Sequence, residues 1–169
     1  MIKKLFRILL VFLGILIIVL SISYFLNRGE YKIVNNVIIN KPINEVFDFV
    51  ADMQNELKWN PKVQFVEKKT DGDVRNGTKF ISKWTLSDTL EVTVQNFDKP
   101  NHLTFINGGA IEVTFKLTLK SVDSSITEMK SEFIAKPNGF TRAIFPIISR
   151  EMEKDEKKNM IYIKNYLEN

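Results

Sequence analysis

Residues 111–120 read Ile-Glu-Val-Thr-Phe-Lys-Leu-Thr-Leu-Lys, a strict alternation of apolar and polar side chains. Successive side chains of an extended strand point to opposite faces, so Ile111, Val113, Phe115, Leu117 and Leu119 share a buried face while Glu112, Lys116 and Lys120 share a wet one. A strand of this kind belongs to an antiparallel sheet covered on one side only. The same period extends in both directions. Downstream, Met129, Ser131, Phe133 and Ala135 oppose Glu128, Lys130 and Glu132 within residues 126–136. Upstream, His102–Asn107 ends at Gly108-Gly109, and Leu90, Val92 and Val94 alternate with polar residues as far as Lys99-Pro100-Asn101. Before these, Thr78–Leu86 places Phe80, Ser82, Trp84 and Leu86 on one face, and Asp71-Gly72-Asp73 and Asn76-Gly77 supply turn chemistry between it and Val63–Lys69. The Val- and Ile-rich stretch Tyr31–Asn40 makes a seventh strand.

The period changes in two places. After Pro42, the residues Ile43, Val46, Phe47, Phe49, Val50 and Met53 recur at helical spacing, and Met53–Trp59 adds a second short helix that ends at Asn60-Pro61. After Pro137-Asn138-Gly139, a helix is predicted from about Pro146 to Glu168, roughly 34 Å long. Its apolar stripe runs through Phe145, Ile148, Met152, Ile163, Tyr166 and Leu167, and is broken at its centre by Asn159 and Glu156. The elements together predict an α+β fold: a curved antiparallel sheet of about seven strands, two short helices, and a long C-terminal helix. Only that last helix is long enough to cover the sheet's apolar face.

A wide sheet bent around one helix leaves space between them, which predicts a ligand cavity. Its expected lining is Trp59, Phe80, Trp84, Phe105, Phe115, Met129, Phe133 and Met152, with Glu156 and Asn159 as polar groups on the gripping helix. The alternative for the apolar members is plain core. The polar pair needs hydrogen-bond partners from Ser82, Asn107 or Ser131, from water or from a ligand, or else a helix rotated so that Glu156 meets solvent.

Composition narrows the function. The 169 residues are 44% hydrophobic and 26% charged, as in an ordinary folded protein. Of 24 basic residues, Lys3, Lys4, Arg7 and Arg28 lie in the first 28 positions, which hold no acid; beyond them 20 basic residues face 20 acidic ones. A neutral body lacks the basic footprint of a nucleic-acid-binding protein. The absence of Cys excludes disulfides, thiolate catalysis and zinc-thiolate sites. His102, the only histidine, lies at a turn into a strand, so a site of several imidazoles is excluded. Asp71-Gly72-Asp73 lacks the remainder of a calcium loop, Gly108-Gly109 lacks the helix and Lys of a phosphate loop, and the Asn76-Gly77-Thr78 sequon is explained by a turn. Neither a metal nor a cofactor is called for.

Ile8–Leu26 is a nineteen-residue apolar run interrupted only by Gly14, Ser21 and Ser23. As a helix it is about 28 Å long, enough to span a bilayer. Lys3, Lys4 and Arg7 before it favour a cytoplasmic N-terminus with the domain on the extracytoplasmic side, although Arg28, Lys32 and Lys41 follow closely. The alternative is a cleaved signal peptide and a secreted domain, since Ser21-Ile22-Ser23 has the small-x-small form of a cleavage site. Tyr24-Phe25-Leu26 continues the apolar run beyond that cut, which favours the anchor. The chain then divides into a basic flank 1–7, a transmembrane helix 8–26, a linker 27–30 and a folded domain 31–169.

The order of elements, together with Ile39-Asn40-Lys41-Pro42 leading into Val46-Phe47-Asp48-Phe49-Val50, Trp59-Asn60-Pro61, Gly77-Thr78-Lys79-Phe80, and Lys99-Pro100 with Leu103-Thr104-Phe105, resembles the polyketide cyclase/dehydrase-like group of the SRPBCC, or START-like, superfamily. The resemblance covers about Ile33–Leu167. It implies a helix-grip fold enclosing a hydrophobic cavity for lipids, sterols, polyketides or similar molecules, and implies no particular reaction. The leading expectation is a membrane-anchored, non-catalytic domain binding an apolar small molecule or lipid supplied by the adjacent bilayer. Two alternatives stand beside it: a cyclase- or dehydratase-like enzyme using Glu156 as a cavity acid or base, and a protein-interaction module at the membrane. A desolvated Glu156 favours the enzyme, and a fully packed interior favours the module.

Overall fold

The computed structural model describes residues 2–85 and 87–169; Leu86, expected on the inner face of the third strand, lies outside the described residues. The chain runs α1 (Ile2–Leu26), β1 (Tyr31–Ile39), α2 (Ile43–Ala51), a 3₁₀ turn (Met53–Asn55), α3 (Glu56–Trp59), β2 (Val63–Lys68), β3 (Lys79–Trp84), β4 (Thr89–Asp98), β5 (His102–Asn107), β6 (Ile111–Ser121), β7 (Thr127–Pro137) and α4 (Thr141–Glu168). The strands form one antiparallel sheet in the order β1-β7-β6-β5-β4-β3-β2. Each strand from β2 to β7 pairs with its sequence neighbours, and β1 closes beside β7.

Register carries the predicted inner face across the sheet. Phe115 pairs with Phe105 on one side and Phe133 on the other, and Leu117 pairs with Leu103 and Ser131. The core gathers Leu103, Leu117, Leu119 and Met129 from the sheet, Val46 and Phe47 from α2, and Met160, Ile163 and Leu167 from α4. Phe47 is fully buried and meets Phe97 edge to face, with ring centroids 5.3 Å apart. The Asn76-Gly77 turn does more than join β2 to β3: Gly77 takes φ +83°, and Asn76 Oδ1 accepts from the Phe97 N–H at 2.7 Å, next to the irregular stretch of β4 at Asn96.

Two expectations for the last helix change. It starts at Thr141 rather than Pro146, because Asn138 O accepts the Thr141 N–H and places Pro146 inside the second turn. Proline has no N–H to give to the carbonyl four residues back. That carbonyl, Arg142 O, instead faces Ser23 Oγ of α1 at 3.4 Å. The buried row also differs from the predicted stripe. It contains Phe145, Ser149, Met160, Ile163 and Leu167, whereas Tyr166 is 44% exposed and stacks on Phe49 of α2, with ring centroids 5.1 Å apart. Steps of three and four residues from Phe145 through 149, 152, 156, 160 and 163 to Leu167 place Glu156 on the helix's inward line, with Asn159 beside it.

α1 is long and apolar enough to cross a membrane, and none of its residues is buried against the rest of the chain.

Candidate functional site

The inward line of α4, the helical segment after α2, and the middle of the sheet converge on one small enclosed space. It is lined by Asp52, Glu56 and Trp59, by Phe105, Phe115 and Leu117, by Glu156, Asn159, Met160 and Ile163, and by Phe49 and Val50. Its volume is about 30 Å³. One water-sized probe sphere needs about 10–15 Å³, so this space holds a water or two and not a small molecule. The expected ligand-sized cavity between sheet and C-terminal helix is therefore corrected. Large side chains facing each other across the gap, Phe105 and Phe115 from the sheet against Met160 and Ile163 from α4, fill most of it.

The expected lining residues divide accordingly. Trp59, Phe105, Phe115, Glu156 and Asn159 meet at this space. Phe80 and Met129 are fully buried in the packed core, and Phe133 packs against Phe115, with ring centroids 6.2 Å apart. Met152 is half-buried on α4, one turn before Glu156. Trp84 reaches the site from behind: its Nε1–H donates to Glu56 Oε2 at 3.2 Å.

Glu56 is the residue that the sequence pattern did not single out. The short segment after α2 carries it, and Met53, Glu56 and Trp59 follow one another at three-residue spacing along its inner side. That spacing was the available signal. It was masked because a carboxylate between two apolar anchors reads as solvated.

The electrostatics are unusual for carboxylates. Both glutamates keep some surface, yet burial dominates each. Burial pushes the Glu56 carboxyl up to about 8; the Trp84 N–H works against this, and the nearby Glu156 charge adds to it. Burial pushes Glu156 up to about 7, opposed by Asn159, whose Nδ2 donates to Glu156 Oε1 at 3.3 Å, and aided by the Asp155 charge. Among the described residues, no Lys, Arg or His lines the space. At neutral pH Glu56 therefore mainly holds its proton and Glu156 is about half protonated, so the pair can donate as well as accept hydrogen bonds. Elsewhere on the buried side of the sheet, Ser82 Oγ, Asn107 Oδ1 and Ser131 Oγ have no hydrogen-bond partner from the chain. Of the possible partners for Glu156 and Asn159, these three make no bond to either, and Asn159 donates to Glu156.

Protonation of Glu56 is readable through its tryptophan. In a Trp59→Phe chain, Trp84 emission should titrate with a midpoint near pH 8, and Glu56→Gln should abolish that step. A midpoint near 4.5 would show a solvated carboxyl.

Trp59 has a second role. On its outer side it borders an open groove of about 500 Å³, lined also by Tyr162, Asn165, Tyr166 and Asn169 at the last turns of α4. One indole thus lines both the groove and the enclosed polar space. Groups of three or more side chains able to hold a metal ion do not occur among the described residues.

No protein-family model matches the chain, and no curated protein matches it by sequence. Solved structures do match by shape. A hypothetical protein of Helicobacter pylori superposes with a TM-score of 0.66 at 14% identity, covering 80% of this chain and 87% of that one. A START superfamily protein from Mycobacterium smegmatis gives 0.59 at 8% identity, covering 78% and 97%. The fold is START-like. The di-domain ARO/CYC BexL from the BE-7585A biosynthetic pathway gives 0.66 at 14% identity, covering 83% of this chain and 50% of that longer protein. At these identities the START-like match carries the architecture and nothing of substrate or reaction.

Proposed function

We propose that this is a membrane-anchored START-like domain that binds an apolar molecule bearing a neutral hydrogen-bonding head. The body of the ligand lies in the groove beside Trp59, and its head reaches the Glu56, Glu156 and Asn159 cluster. The observation that carries the reading is the position of Trp59, shared between a groove of about 500 Å³ and a small space with two desolvated carboxyls whose proton affinities are raised to about 8 and about 7. A groove of that size falls in the range of small-molecule sites. Its aromatic lining suits an apolar body, and an anionic head would meet Asp52, Glu56 and Glu156 without a compensating cation. The N-terminal helix supplies the anchor. The charges before it favour the domain on the extracytoplasmic side, and proteolysis of the domain in intact cells tests that placement.

The experiment is purification of the full chain from membranes in mild detergent, with mass spectrometry of what accompanies it. An apolar species lacking an anionic group is expected, retained by the wild type and lost at least several-fold in Trp59→Ala. The nearly filled space between sheet and α4 favours a protein-interaction module, and a chain that carries no small molecule, in wild type and variant alike, overturns the binding reading in that module's favour.

The desolvated Glu156 favours a second reading, in which the cluster performs acid-base chemistry. A group whose proton affinity lies near the working pH both gives and takes protons. Under that reading Glu156→Gln abolishes turnover of a captured ligand while preserving its binding; equal loss of both leaves Glu156 a binding group.

A further inference from the structure

The start of α4 exposes two large apolar side chains, Phe140 at 69%, at the cap position just before the helix, and Ile147 at 72%, in its second turn. Scattered apolar residues on a surface need no explanation. These two are set apart by what lies beside them. Ser23 Oγ of α1 faces the Arg142 carbonyl that Pro146 leaves without a helical donor, and the Arg142 guanidinium sits 5.8 Å from the centre of the Tyr24 ring. The last turns of the apolar helix are therefore held against the first turns of α4. Charge is continuous across the junction: residues 1–29 contain no acid, and neither does the stretch from Pro137 to Arg150, which carries Arg142 and Arg150.

We infer that the N-terminal turns of α4 are a second membrane contact, with Phe140 and Ile147 inserted into the interfacial layer of the bilayer that α1 spans. The inference rests on the anchor reading. Tyr24, Phe25 and Leu26 end the apolar run, so their depth is that of the headgroup boundary, and whatever packs beside Tyr24 lies at that depth as well. Arg28, Arg142 and Arg150 suit the phosphate level there. A helix end with exposed apolar side chains and basic neighbours has the composition of an interfacial segment. The domain is thus held at one orientation to the membrane and does not swing freely on residues 27–30.

The chain has no Cys, so single-cysteine spin labels report cleanly. The full-length variants Ile17→Cys, Phe140→Cys, Ile147→Cys and Val122→Cys are each reconstituted into phosphatidylcholine vesicles. Collision rates with oxygen and with water-soluble nickel(II) ethylenediaminediacetate are then compared. Val122 lies in the β6–β7 turn, the far end of the sheet from Asn138, and is the water reference. Expected is a several-fold higher oxygen-to-nickel ratio at 140 and 147 than at 122, with 17 higher still. Ratios at 140 and 147 equal to that at 122, with 17 in hydrocarbon, overturn the inference and leave the anchor intact. A water-like ratio at 17 overturns the anchor reading and the inference with it. Protection of 140 and 147 from both reagents that disappears on dilution with lipid assigns the patch to a second copy of the chain and also overturns the inference.

Discussion

Raising the pH from 5 to 9 should destabilise the folded domain by on the order of 2–4 kcal/mol, seen as a fall of roughly 5–15 °C in the midpoint of thermal unfolding. Glu56 and Glu156 cause it. The unfolded chain releases their protons near the ordinary carboxylate value, whereas the native state holds them to about 8 and about 7. Between those limits the native state binds more protons than the unfolded one, so the free energy of unfolding falls as pH rises. The stability contributed by the pair is complete below the unfolded value and gone above about 8. A tenfold change in proton affinity is about 1.4 kcal/mol, and the partly open outer side of each residue keeps the total below the sum of the two shifts. Because the carboxyls feel each other, the two protons leave in steps that belong to the pair. Glu151 is exposed and Glu132 and Glu168 are half-buried, and their lysine partners or, for Glu168, also the Asn40 N–H hold all three low, so they titrate below this window. The check is near-ultraviolet circular dichroism of the full chain in neutral detergent. Glu56→Gln with Glu156→Gln should flatten the pH dependence and raise the midpoint at pH 9. A wild-type midpoint that does not change between pH 5 and 9 would show that both carboxyls are hydrated.

Phe47→Ala should cost about 3–5 kcal/mol, a large part of the stability of a domain this size. Phe47 is fully buried, joins α2 to the sheet, and meets Phe97 edge to face. Truncation removes the apolar burial and the ring pair together, and leaves a void that α2 cannot close without moving Val46 and Phe49. Phe65→Ala, at a position 43% exposed on the edge strand β2, is the control and should cost less than about 1 kcal/mol. Chemical denaturation at a fixed slope measures both. Equal costs would mean that the fully buried ring does not carry the packing described here.

Most of the architecture was legible because its strands are wet on one side. Residues 111–120 declare their faces at every second position, and the register then extends the pattern to Phe105 and Phe133. The short helices were legible from period as well, since Ile43, Val46, Phe47 and Val50 recur at helical spacing. The start of α4 was obscured by Pro146, whose lost hydrogen bond is met by a residue more than a hundred positions away. The site was only half legible. Glu156 and Asn159 interrupt an apolar stripe and so announce themselves, whereas Glu56 acquires its meaning only from Trp84 and from the opposite helix, neither of which is near it in sequence. The volume between sheet and helix could not be read at all. It depends on how side chains from both sides interdigitate, and these fill it.

α4 also fixes the reach of the molecule. Its 28 residues extend about 42 Å, with the attachment to α1 at Arg142 and the groove at Tyr162 and beyond, some 30 Å further along. The contact with α1 and the groove therefore occupy opposite poles of a single rod. On the proposed anchor reading, a rod standing away from the bilayer holds the groove outward by about the thickness of a hydrocarbon core, beyond the lipids that ring α1.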